Sequence, residues 1–214
     1  MYSYTDKIIQ TLNRRYIALF NRLKNLSDDD DEIILEVNRI YEEIDRLTKQ
    51  AYLLLAKKIY QITMDMVEGD WEDIEAIWLL GILDDYNPVT KYVYSHEVDR
   101  KRARLIEALI SSDNKAQEVE RAKKLWARQS KQYAEYITDM ATEKAYRDGG
   151  IEEVVWITER DERVCGICEG RDGVRYFIDE IPDKPHYGCR CRVRPLEAKD
   201  LLWNGYFQRK SKNT

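Results

Sequence analysis

The chain has 214 residues, enough for one ordinary domain plus a small module. Charged residues make up 35% of it, while the nine glycines and four prolines are sparse, a balance that argues against a disordered polymer and for long amphipathic helices. A formal net charge of -5 excludes a polycation that would hold DNA through its total charge.

The first 15 residues carry Asp6, Lys7, Arg14 and Arg15, so they lack the uninterrupted apolar core of a secretory signal and read as mature helix. Ile8, Ile9, Leu12, Tyr16, Leu19, Phe20 and Leu23 recur at helical spacing and predict a first helix ending near Asn25. Ser27 and the Asp28–Asp31 run then offer caps and negative charge to the N-terminus of a second helix. The stripe of that helix is Ile34, Val37, Tyr41, Ile44, Leu47, Ala51, Leu54 and Leu55, with helical composition continuing to Val67 and a stop at Gly69. A helix so long needs other long helices, or a partner protein, against which to bury its stripe.

Trp71 to Leu83 predicts a shorter third helix, and its apolar stretch from Ala76 to Leu83 is too short to cross a bilayer. An ordered loop is expected at Asn87-Pro88, because the proline biases its neighbour away from helix. Glu97 to Ile110 resumes helical spacing. Lys115 to Tyr146 predicts a long polar helix with Leu125, Trp126, Tyr133, Tyr136, Ile137 and Ala141 facing inward, ended by Gly149 and Gly150. The crowded aromatics Trp71, Trp78, Tyr86, Tyr92 and Tyr94 suit core packing, with a protein interface as the second use of such residues.

After Gly150 the texture changes to β-branched and aromatic runs with dense turns. Strands are expected at Val154–Ile157, Val174–Ile178 and Arg190–Val193. The fold class expected is therefore mainly α: a long-helix bundle over residues 1–150, followed by a small α+β module with a Cys/His site over 151–214.

All four cysteines fall between residues 165 and 191. Cys165-Gly166-Ile167-Cys168 is followed, after 17 residues, by His186-Tyr187-Gly188-Cys189-Arg190-Cys191. In a chain read as cytoplasmic, paired cysteines at such spacing point to a metal more often than to disulfides. Cys165, Cys168, His186 and Cys189 fit a structural zinc site, and Cys191 competes with Cys189 for the fourth place. Free thiols or a disulfide remain the alternative. A metal here would staple a module with a thin core. The order of the motif departs from that of zinc deaminases, and His96 and His186 are too few and too far apart for a His-metal nuclease. A hydrolase would need a general base beside the site, with Glu169 and Asp172 as the candidates.

Two basic clusters, Arg100, Lys101, Arg102 and Arg104, then Lys123, Lys124, Arg128 and Lys131, are interleaved with acids, so a solvated, ion-paired face is expected of them. His96 is expected to cap or pack. A nucleic-acid-binding zinc module is the competing function, and it would use Arg190, Arg192, Arg194, Arg209, Lys210 and Lys212.

Asp161-Glu162-Arg163-Val164-Cys165-Gly166-Ile167-Cys168, Asp172-Gly173 and Pro185-His186-Tyr187-Gly188-Cys189-Arg190-Cys191 together resemble the Mu F-like family of phage minor head proteins. A looser resemblance runs from Asn87-Pro88 to Arg102. The family commonly has Pro-Asn where this chain has Tyr187-Gly188, which leaves the ligand spacing intact. The resemblance implies a structural protein without enzymatic activity, placed in the capsid interior of the virion after assembly in the host cytoplasm. Its implied partners are the portal protein and the scaffold or major capsid protein, with contact to packaged DNA as a further expectation and neither a membrane nor a small-molecule substrate.

Overall fold

A computed structural model describes residues 2–26, 28–70, 76–85, 93–186 and 188–196. Four helices build the larger part: α1 (Tyr2–Asn21), α2 (Asp30–Met66), α4 (Tyr94–Ser111) and α5 (Lys115–Asp148), with the short α3 (Ala76–Asp84) between α2 and α4. A 3-10 turn, Arg22–Asn25, extends α1 to the predicted end. Asp29 caps α2 by accepting from the Glu32 backbone N–H at 2.9 Å, and Asn114 does the same for Gln117 on α5 at 3.1 Å. Ser27, Trp71, Tyr86, the Asn87-Pro88 loop, Tyr92 and the basic tail after Leu196 lie outside the described residues.

The expected stripe of α1 is the buried one: Ile9, Leu12, Tyr16, Phe20 and Leu23 are in the core, with Ile8 and Leu19 against its edge. In α2 two positions are corrected. Ile34 and Leu54 are exposed, and Ile33, Ile40, Thr48, Tyr52 and Ile59 are buried in the stripe that faces α1, α4 and α5. Thr48 is admitted because its hydroxyl donates to the Ile44 carbonyl at 2.6 Å and meets the Tyr16 hydroxyl at 2.5 Å. In α5, Leu125 is likewise exposed, and Gln129 and Ser130 take core positions beside Trp126 and Tyr133. Polar side chains thus alternate with aromatics along the centre of the bundle. Tyr94 belongs to this core, its ring edge-on to Tyr133 at 5.2 Å, and Trp78 packs against it.

α2 ends at Met66, and Glu68, not Gly69, takes the left-handed conformation at φ 55°. A β-carbon on Gly69 would lie 2.7 Å from Met64 Cε, the far end of a side chain that can shift aside. At the end of α5, Gly150 supplies φ 72°, and the Ile151 N–H donates to the Tyr146 carbonyl at 2.9 Å.

The C-terminal part is a three-stranded antiparallel sheet in the order β2-β1-β3, made of β1 (Glu153–Ile157), β2 (Arg175–Phe177) and β3 (Arg192–Pro195), with the six-residue α6 (Gly166–Arg171) between the first two. The fold is mainly α with a small α+β Cys/His-bearing part, as the sequence predicts. The last strand begins two residues later than expected, so Cys191, like Cys189, lies ahead of it. One side of the sheet joins the bundle: Val154 and Ile178 pack with Tyr146 and Val67. Lys184 reaches Asp139 at 2.6 Å and Arg147 reaches Asp179 at 2.9 Å across the same junction. Among the described residues, no helix is long and apolar enough to cross a membrane.

Candidate metal centre

The five ligand candidates named from the sequence converge on one end of the small sheet. Cys165 is the N-cap of α6, and its sulfur accepts from the Cys168 backbone N–H at 3.4 Å. That turn places the Cys168 thiol, 1% exposed, beneath the helix against Trp156. The approach to β3 returns Cys189 and Cys191 to the same spot, and the Cys168 and Cys189 sulfurs are 3.5 Å apart. All four cysteines are free thiols.

Two trios result. Cys165, Cys168 and His186 have their ligand atoms within 4.8 Å of one another, and so do Cys168, Cys189 and Cys191. Cys168 is the shared vertex. The first trio opens to solvent through His186, whereas the second is buried throughout. Cys189 and Cys191 both meet Cys168 although no strand holds them. The cluster can hold a metal ion.

The thiols differ in acidity. The backbone N–H of Cys168, aided by the Cys168 thiol and by His186, holds Cys165 down at about 7. Burial pushes the Cys168 thiol well up, and the neighbouring sulfurs add to the effect. Burial also raises Cys191, against which the Trp156 indole acts in the opposite direction. The indole N–H itself is buried and makes no hydrogen bond among the described residues. Arg171 covers the ring of Trp156 at 5.1 Å. Sequence reading finds Trp156 as a strand residue and misses that its ring packs against the cysteines and lies under Arg171, which needs the fold to become visible.

The loops carrying the thiols are tied by charge. Arg190 grips Asp161, and Asp172 accepts from the Thr158 backbone N–H at 2.9 Å and from Arg160 at 2.8 Å. Asp172 is thus committed to holding a loop. Glu169 is exposed on α6. Arg192 lies 3.7 Å from Glu159, and Arg194 donates to the Pro195 carbonyl at 3.2 Å. His96 does not cap: it is exposed on the first turn of α4, whose N-cap Val93 makes no side-chain hydrogen bond. Compared with family models, curated proteins and solved structures, the chain matches none.

Proposed function

We propose that the chain is a structural minor head protein of a tailed bacteriophage, internal to the capsid and associated with the portal, where it assists procapsid assembly or genome delivery. The observation that carries this reading is the Cys165–Cys191 motif, whose order and spacing resemble the Mu F-like family and whose five ligand side chains gather into one cluster at the end of a long-helix bundle. Its work is docking, without turnover. The bundle leaves large apolar side chains on its surface, among them Ile77 at 71% and Leu54 at 58% exposed, which a portal, scaffold or capsid surface can cover.

The resident metal in this reading is zinc. Thiolates and one imidazole are its preferred donors, and the 3.5 Å separation of Cys168 and Cys189 is near the roughly 3.8 Å edge of a tetrahedron with metal–sulfur bonds of about 2.3 Å. Cys165, Cys168 and His186 would hold it together with Cys189 or Cys191. Bound there, zinc supplies folding energy to a module with a thin core. The competing nucleic-acid reading draws less support, because Arg190 is bidentate to Asp161 and Arg192 lies near Glu159.

The test is co-sedimentation of the purified protein with assembled portal rings from the same phage, alongside zinc analysis. Retention on the rings, weakened by charged substitutions at Ile77 and Leu54, is expected. A protein that ignores portal, scaffold and capsid proteins but binds duplex DNA with steep salt dependence would overturn the reading in favour of its competitor.

A further inference from the structure

Every donor trio in the cysteine cluster passes through one sulfur. Cys165 and His186 form a trio with Cys168, and Cys189 and Cys191 form theirs with Cys168 as well. Without that vertex, no three candidate donors among the described residues lie within 4.8 Å of one another. An ion that takes three or four protein ligands here therefore depends on the Cys168 sulfur.

The cluster also holds one donor more than a tetrahedral ion can use. Four of the five side chains fill the coordination sphere, so one of Cys189 and Cys191 stays outside it, as a thiol in the same buried trio as Cys168. The Cys168 and Cys189 sulfurs are 3.5 Å apart, in van der Waals contact, and both residues are buried. They connect α6 with the approach to β3, and a covalent link between them would close the same segment that a metal closes. Solvent meets the cluster on its other side, at the half-buried Cys165 and the exposed His186.

We propose that the cluster is a redox switch, in which a Cys168–Cys189 disulfide formed by a peroxide expels the metal and takes its place as the staple of the C-terminal part. The switch rests on the zinc reading given above. Hydrogen peroxide oxidises the Cys165 sulfur to a sulfenic acid, breaking the O–O bond and releasing a first water. The Cys168 sulfur displaces the hydroxyl, which leaves as a second water, and a Cys165–Cys168 disulfide forms. The Cys189 sulfur then attacks Cys168, and Cys165 leaves as a thiolate that regains a proton. In all, two sulfurs lose one electron each, and one peroxide takes both. Two protons complete the two waters, drawn from the thiols or, where zinc had displaced them, from solvent. The final pair is buried and so shielded from reductants, whereas Cys165 is not. A chain passing from a reducing cytoplasm to an oxidising medium would exchange one staple for the other.

The experiment is titration of the full, zinc-loaded chain with hydrogen peroxide, with released zinc read by a chromophoric chelator too dilute to strip the reduced chain. Peptide mass mapping without reductant identifies the linked cysteines. One zinc released per disulfide is expected, with Cys168–Cys189 as the final product and zinc uptake restored by dithiothreitol. The oxidised, zinc-free chain should melt at a higher temperature than the reduced, zinc-free chain. Cys189→Ser, which retains Cys191 as a donor, should lose the link and release zinc several-fold more slowly. Zinc retained after Cys168 is oxidised, a final product joining Cys165 to Cys168 or Cys189 to Cys191, equal melting of the two zinc-free chains, or unchanged release from Cys189→Ser would each overturn the switch and leave the zinc reading standing. A reduced chain that takes up no zinc would overturn both.

Discussion

The guanidinium of Arg190 holds the Asp161 carboxylate through two hydrogen bonds, of 2.8 and 2.6 Å. Arg190 stands between Cys189 and Cys191, and Asp161 opens the turn that leads to Cys165. One ion pair therefore ties the loop feeding the first two thiols to the segment carrying the last two. Its planar, two-point geometry fixes orientation as well as distance.

Removing that tie should loosen the metal site without removing a ligand. Arg190→Ala and Asp161→Asn are expected to weaken zinc binding roughly tenfold, within the range typical of groups that orient metal ligands. Competition against a chromophoric chelator measures it, and unchanged affinity in both variants would show the pair to be incidental. Arg190 holds the Asp161 carboxyl down at about 2, below its unfolded value. The contribution of the pair is then complete above about pH 4 and disappears as pH falls through about 2.

The thiols should be distinguishable by their chemistry. In chelator-treated protein at pH 7.5, a set-point of roughly half a unit above the Cys165 value of about 7, iodoacetamide should modify Cys165 first, since the thiolate is the nucleophile. Cys168, buried and raised, should react last while the fold persists. Zinc should protect both. Of the single Cys→Ser substitutions, Cys168→Ser should lower zinc affinity most, because both ligand trios include it, and Cys189→Ser and Cys191→Ser should lower it least, because each can stand in for the other. Peptide mass mapping and zinc analysis decide; equal losses at all four positions would contradict the shared-vertex geometry.

The sequence made the Cys/His cluster legible because thiols and an imidazole at short spacing stand out by residue type, and every one of the five candidates belongs to the gathered set. It made the helices legible through apolar recurrence, which located α1, α2, α4 and α5 to within a few residues. What it concealed were polar side chains in the core. Thr48, Glu97, Lys101, Gln129 and Ser130 are all buried, and periodicity drawn from apolar residues alone skips such positions, so Ile34, Leu54 and Leu125 were assigned places in stripes from which the fold excludes them. The strand before the C-terminus slipped for a related reason: Cys189 and Cys191 alternate like strand residues, but their position answers to Cys168 and not to a sheet neighbour.

The buried pair of Lys101 and Glu97, 2.8 Å apart, is the most consequential of these hidden groups. Lys101→Met should cost about 3 kcal/mol in urea unfolding, since it strands the Glu97 carboxylate, while adding Glu97→Gln should recover much of the loss. Additive losses would mean the two side chains act separately. Because the folded-state value of Lys101 is depressed to about 8, chiefly by burial, the native chain sheds this proton before the unfolded chain does. Its contribution to stability should rise between about pH 8 and pH 10, and the doubly substituted chain should lack that rise.

The junction between the bundle and the sheet should respond to pH in the opposite sense. Glu143 on α5 is pushed up to about 7, by burial first and then by the Asp139 charge, with Asp183 adding to it and Arg147 and Lys184 opposing. Burial raises Asp139 as well, against the pull of Lys184 at 2.6 Å. A carboxyl with a folded value above its unfolded one, about 4.3, contributes stability that is complete below that pH and is lost as pH rises through about 7. Near pH 8 the junction therefore carries two neighbouring carboxylates, and one lysine cannot satisfy both. Glu143→Gln should flatten the dependence of stability on pH between 4 and 8 and raise stability at pH 8 by on the order of 1 kcal/mol. Because Lys184 and Asp179 belong to the C-terminal part, amide exchange at the start of β1 should slow in the same variant at pH 8. An unaltered pH profile with unaltered exchange would mean that Glu143 is solvated, and that Lys184 and Arg147 hold the junction without cost from it.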